Sequence, residues 1–236
     1  MQSSCQTGLY YTMNTIKIDL SGKAFLIEIC HNKNELPEIK KLDDLVFSKH
    51  QGISTELLQA IFEQGGLLVY KINNQIVAES QVLFESAAGQ KIENRETALF
   101  YGTAVLAEFR GQHIGEALAM AQKKVAVTKG KSLAMLSVRP ENAASISLRM
   151  KLGFVIKSWQ ADYYGSGRLI LEKDLATQAV SHSRAPGKVV KSILLKIGDQ
   201  PDEYARAQIA ACFQSNLKPV AYHIINAAEA VLDFSE

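Results

Sequence analysis

The run Arg110-Gly111-Gln112-His113-Ile114-Gly115-Glu116 has the residue types and spacing to hold a phosphate on main-chain amides. Leu99, Tyr101, Thr103 and Val105 alternate ahead of it as in a strand, and Ile114, Ala117, Leu118, Ala121 and Val125 recur behind it at helical spacing. The first turn of such a helix carries N–H groups without internal partners, and its dipole adds partial positive charge. A phosphate there gains up to about 2 kcal/mol. Gly111 and Gly115 lack a Cβ and so let a ligand approach the main chain.

A second segment follows. Leu133-Ala134-Met135-Leu136-Ser137-Val138 reads as a strand ending at Pro140, and Asn142 caps a helix over Ala143 to Leu152 that closes with Gly153-Phe154. The two segments, in this order and separation, resemble motifs A and B of the GCN5-related N-acetyltransferase (GNAT) superfamily. The resemblance is clearest over residues 97 to 175 and extends to residue 23. It implies a mixed central sheet whose fourth and fifth strands splay apart, with the arm of acetyl-CoA filling the gap. Thr103, Ala104 and Val105 match the strand that pairs with this arm. Arg110, Gly111, Gln112, His113, Ile114, Gly115 and Glu116 match the pyrophosphate turn, and Asn142 matches the residue that orients the arm. His113 stands where many relatives have glycine, so its side chain must point away from the phosphates. Lys123, Lys124, Lys129 and Lys131 either meet a ribose phosphate or form a solvated helix face.

The resemblance implies direct attack of an amine on the thioester, without a covalent enzyme intermediate. Such a reaction needs a neutral amine, a stabilised oxyanion and a proton for the leaving thiolate. The usual proton handlers are replaced. Where many members carry a tyrosine that protonates the sulfur, this chain has Arg149. Leu136-Ser137-Val138-Arg139 resembles the Leu-Glu-Val-Arg strand of ribosomal-protein alanine N-acetyltransferases, with Ser137 in place of the glutamate. Arg149 cannot act as a general acid near neutral pH, although its charge can stabilise a thiolate; its other reading is an exposed helix residue. Glu79, Tyr101 and Glu141 are the substitute bases, unranked.

Substrate choice follows from a magnitude. Deprotonation at pH 7 costs about 1 to 1.4 kcal/mol for an α-amine and about 4.6 for a lysine. Asp162-Tyr163-Tyr164-Gly165 resembles the paired tyrosines with which N-terminal acetyltransferases hold a peptide's first residues. Ser137, Arg149 and Tyr164 are therefore the catalytic candidates, and Tyr163 with Tyr164 the substrate-binding ones. The expected activity is acetyl-CoA-dependent N-acetyl transfer to a primary amine, a peptide α-amine or a metabolite, amino-acid or drug amine. The non-enzymatic alternative is an acyl-CoA-binding interaction module.

These residues need an α/β scaffold to position them. Strands are expected at Lys23 to Cys30, Leu67 to Ile72 and Gln75 to Phe84, and helices at Glu35 to Phe47 and after Ser54. Asn73-Asn74 suits a tight hairpin, and Val155 to Tyr164 with Arg168 to Lys173 closes the sheet. Residues 1–22 read as an N-terminal extension, 23–176 as the acyl-CoA-binding domain, 177–187 as a linker, and 188–236 as a small C-terminal α/β extension. The extension contains a strand over Val189 to Ile197, a helix over Asp202 to Leu217, and a strand over Val220 to Asn226; Ala227 to Phe234 is ambiguous. About 50 residues bury too little surface to stand alone, so it packs on the main domain or on a second copy in a homodimer.

Composition narrows the partners. Lys+Arg 26 against Asp+Glu 24 gives a net charge of +2, which argues against nucleic acid and anionic membranes. Three cysteines without a C-x-x-C pair argue against a disulfide framework or a zinc site, so no metal is expected. With no apolar run of about 18 residues and no leader pattern, the expected location is cytoplasmic.

Overall fold

The computed structural model describes residues 14–47, 52–163, 165–176 and 188–236. The expected linker at 177–187 and Tyr164 lie outside the described residues. The architecture is a mixed α/β fold in which eight strands order as β1-β2-β3-β4-β5-β6-β8-β7, with a separate sheet ordered β10-β11-β9. The strands are β1 (Thr15–Leu20), β2 (Lys23–Ile29), β3 (Leu67–Ile72), β4 (Gln75–Leu83), β5 (Thr97–Val105), β6 (Leu133–Val138), β7 (Val155–Gln160), β8 (Arg168–Asp174), β9 (Lys191–Lys196), β10 (Lys218–Ile224) and β11 (Glu229–Ser235). The helices are α1 (Leu36–Phe47), α2 (Thr55–Glu63), α3 (Ile114–Thr128), α4 (Ala143–Lys151) and α5 (Glu203–Gln214).

The chain divides into two compact units. The first joins the described residues up to Gln81 to Gly102–Gln122. Here β1 pairs antiparallel with β2 through Ser21-Gly22, both at positive φ. The sequence reading did not anticipate β1, although Ile16-Lys17-Ile18-Asp19-Leu20 alternates and buries Ile18. β3 and β4 turn at Asn73 (φ 50°) and Asn74 (φ 64°), the paired left-handed residues whose twist matches a two-residue hairpin. Ser54 caps α2 by accepting a hydrogen bond from Leu57 N, and Leu57, Leu58 and Ile61 are buried.

The second unit comprises Val82–Tyr101 and Lys123–Glu236. Within it β5 and β6 pair in parallel from Thr97↔Leu133 to Leu99↔Met135. The two strands run on to Val105 and Val138. The C-terminal extension forms its own layer: Ile193, Leu195, Ile209, Cys212, Leu232 and Phe234 are buried, and Phe213 meets Phe234 edge-on at 5.6 Å. The ambiguous stretch at its end is β11, the central strand of the small sheet. Its α5 and β10 pack on β7, and β10 also on α4.

Candidate functional site

In the first unit the turn before α3 is held by its own side chains. Arg110 Nε donates to Val105 O (3.1 Å) and Gln112 Nε2 to Glu108 O (3.5 Å). The helical ladder begins with Ala117 N donating to His113 O (2.9 Å), so the amides of Ile114 and Gly115 precede it. Gly111 has φ 75°, and a Cβ there would meet nothing within 4 Å. Its backbone is therefore open to a ligand. A Cβ on Gly115 would reach ordinary contact with Val105 Cγ2 at 3.9 Å. His113 also has φ 62°, a left-handed conformation that glycine adopts without strain. Its Nδ1 lies 3.1 Å from Glu116 Oε2. Open backbone at a helix start suits a diphosphate; Arg110, Gly111, Gln112 and His113 form the turn, and Ile114, Gly115 and Glu116 open α3.

A buried polar network adjoins the strand that enters the turn. Thr103 Oγ1 and Ser80 Oγ are 2.6 Å apart, and Ser80 donates to Gly102 O. Gly102 N donates to Gln81 Oε1, whose Nε2 in turn donates to Glu79 Oε2 (2.9 Å) and Asp43 Oδ2 (3.4 Å). A side chain at Gly102 would press on Gln81 Oε1 at 3.0 Å. Burial, reinforced by the charge of Asp43, pushes the Glu79 carboxyl well above its ordinary range. Burial also raises Asp43, which accepts from Ile53 N at 2.8 Å. Two carboxyls sharing one amide donor favour retention of a proton. Composition alone did not reveal this cluster, because Asp43 and Glu79 are far apart in sequence.

The second unit carries the remaining candidates. Asn142 caps α4, its Oδ1 accepting from Ser145 N at 3.2 Å. Ser137 and Tyr163 line a pocket of about 240 Å³ with Leu99, Met135, Ser158 and Glu172. The turn that carries Tyr163 is fixed by Tyr163 N donating to Ser166 O and Gly165 N to Asp162 Oδ1. Gly167 is required there, since a Cβ would overlap the Trp159 ring.

Arg149 is not an exposed helix residue. It is 5% exposed, with its guanidinium carbon 5.7 Å from the ring centres of both Phe100 and Phe154. Burial lowers its pKa to about 10, which leaves it charged at neutral pH. It does not line the pocket that holds Ser137 and Tyr163. Glu141 is also committed: Arg206 Nε and Nη2 reach its two oxygens at 2.7 and 3.0 Å, and Asp202 N donates to Oε1. Burial raises its pKa, but the hydrogen bonds from Arg206 and Asp202 N outweigh burial and hold it below the ordinary value. A carboxylate so stabilised is a poor base. Two of the four lysines after the turn are engaged locally, Lys131 donating to Phe84 O and Arg95 O and Lys129 lying over the Phe84 ring.

No helix among the described residues is long and apolar enough to cross a membrane. None of the curated proteins matches the chain in sequence. Solved structures do resemble it in fold. The ribosomal-protein-S18-alanine N-acetyltransferase from Escherichia coli aligns with TM-score 0.51 and 19% identity over 66% of this chain and 96% of its own. The NatC complex bound to Gag peptide and CoA aligns with TM-score 0.53 and 18% identity over 69% and 99%. For yncA from Salmonella typhimurium, solved with its cofactor acetyl-CoA, the values are 0.53, 18%, 66% and 97%. At these identities the likeness is one of fold. The model of the Acetyltransferase (GNAT) family matches residues 38–154, a stretch that includes β5, the phosphate-type turn, α3, β6 and α4. Through this segment the chain belongs to the GNAT acetyltransferase family.

Proposed function

We propose that the protein transfers an acetyl group from acetyl-CoA to a primary amine, with a peptide α-amine as the preferred acceptor. The observation that carries this reading is the open backbone at Gly111 ahead of α3, in the turn that the resemblance to the family assigns to the coenzyme's diphosphate. Acetyl-CoA supplies the thioester. Residues 110–116 hold its diphosphate on main-chain amides, Thr103, Ala104 and Val105 pair with its arm, and Asn142 orients the arm while it caps α4. Solved relatives in fold carrying acetyl-CoA or CoA support the choice of donor.

Among the candidate bases, Glu79 is the one whose surroundings favour proton uptake, because burial and Asp43 disfavour its charged form. In its ionised form Glu79 accepts the proton released by the attacking amine, so transfer quickens with pH as this carboxyl ionises, and Gln81 keeps it oriented. Arg149 stabilises the departing thiolate by charge, since a guanidinium whose pKa is about 10 keeps its proton at neutral pH. Ser137 and Tyr163, in their common pocket, contact the acceptor. Glu172 on the pocket wall favours neutral or cationic acceptors over anionic ones.

The test is thiol release from acetyl-CoA with pooled peptides of differing first residues, free amino acids and small amines. Turnover governed by the first residues of peptides is the expected result. Turnover of free amines alone assigns the acceptor to metabolites, and coenzyme binding without any turnover assigns a binding module.

A further inference from the structure

The C-terminal extension takes hold of two loops that carry site residues, and a single side chain joins them. Arg206, on α5, grips Glu141, the residue before Asn142. From the same guanidinium, Nη1 donates to Ser166 Oγ (3.1 Å), in the turn that follows Tyr163. The loop before Asn142 is held at further points: Tyr222 Oη on β10 donates to Pro140 O (3.0 Å), and Arg139 Nη1 donates to Asp199 O (2.6 Å). Asp202, which caps α5, presents its backbone N–H to Glu141 Oε1 and its Oδ1 to Ala205 N. The start of α5 is thus built around the loop it holds. An ion pair that only attached a surface layer would not need its carboxylate wholly buried, because burial of charge costs more than an exposed pair returns.

Resting on the acetyltransferase reading above, we propose that the extension is a positioning clamp. Its Arg206 sets the Asn142 loop and the Tyr163 turn in fixed register, and Tyr222 fixes the Asn142 loop alone. Neither residue touches coenzyme or acceptor. They act through the backbone at Pro140, the carboxylate of Glu141 and the hydroxyl of Ser166. The planar fork of arginine explains the residue choice, since it reaches two carboxylate oxygens and a hydroxyl at once, which an ammonium cannot do in the same geometry.

The two arms of the clamp separate experimentally. Trp159, the single tryptophan, lies over Gly167 and reports on the turn by its fluorescence. In the full chain, Tyr222→Phe should raise the Kd for acetyl-CoA about two- to tenfold, the worth of one neutral hydrogen bond, and leave acrylamide quenching of Trp159 unchanged. Ser166→Ala should increase that quenching and leave the Kd within twofold. Arg206→Lys should move both. The clamp is refuted if the Tyr222 and Ser166 variants, folded by circular dichroism, leave both readouts at wild-type values, or if each moves both readouts in step with a loss of Tm. Failure of the unmodified protein to bind acetyl-CoA in calorimetry overturns the acetyltransferase reading itself, and the clamp with it.

Discussion

Glu141 and Arg206 form a buried fork, two hydrogen bonds of 2.7 and 3.0 Å between side chains that are 0% and 7% exposed. Removing one partner strands the other charge away from water. Glu141→Ala should therefore lower unfolding free energy by about 3–5 kcal/mol in urea titration. The paired replacement Glu141→Gln with Arg206→Met, which leaves no buried charge, should recover most of that loss.

The same pair sets an acid limb. Glu141 is held below its ordinary 4.5 by Arg206, so its stabilisation is complete above that value and disappears as pH falls through the lower folded pKa. Thermal unfolding from pH 6 down to pH 3 should show a steeper fall for the natural protein than for the doubly substituted one.

Glu79 has the opposite sign. Its folded pKa is raised, so the native state holds a proton that the unfolded chain gives up above about 4.5, and stability declines as pH rises toward the folded value. Glu79→Gln should flatten this alkaline decline and leave the protein at least as stable at pH 8. If Glu79 takes the amine's proton, the same substitution should lower kcat by about 10²-fold or more. A kcat within threefold of wild type would remove it as the base.

Arg149 tests whether charge or packing matters between Phe100 and Phe154. Arg149→Met fills comparable space without charge and should leave Tm unchanged or raised, because a buried charge is costly. Transfer should slow at least about tenfold if the guanidinium steadies the thiolate. An unchanged rate would assign Arg149 to packing.

His113 occupies a left-handed position in the coenzyme turn, half exposed and beside Glu116. His113→Gly should relieve backbone strain by about 1 kcal/mol and preserve both acetyl-CoA affinity and turnover. Gly111→Val, at φ 75°, should add strain and weaken acetyl-CoA binding, read by calorimetry.

Local chemistry made much of the molecule legible from the chain. Glycines at a strand-to-helix turn, Asn142 and Ser54 as caps, and Asn73-Asn74 between alternating runs each act over a few residues, so their consequences need no knowledge of distant partners. Even β1 left a local trace in its alternation. Tertiary structure alone decided the rest. Whether Arg149 faced water or two aromatic rings, whether Glu141 was a base or an anchor, and whether Asp43 and Glu79 shared a donor all depend on residues brought together from afar. The physical reason is that a side chain's charge state and role follow from its desolvation and its neighbours, and both are set by packing rather than by its place in the sequence.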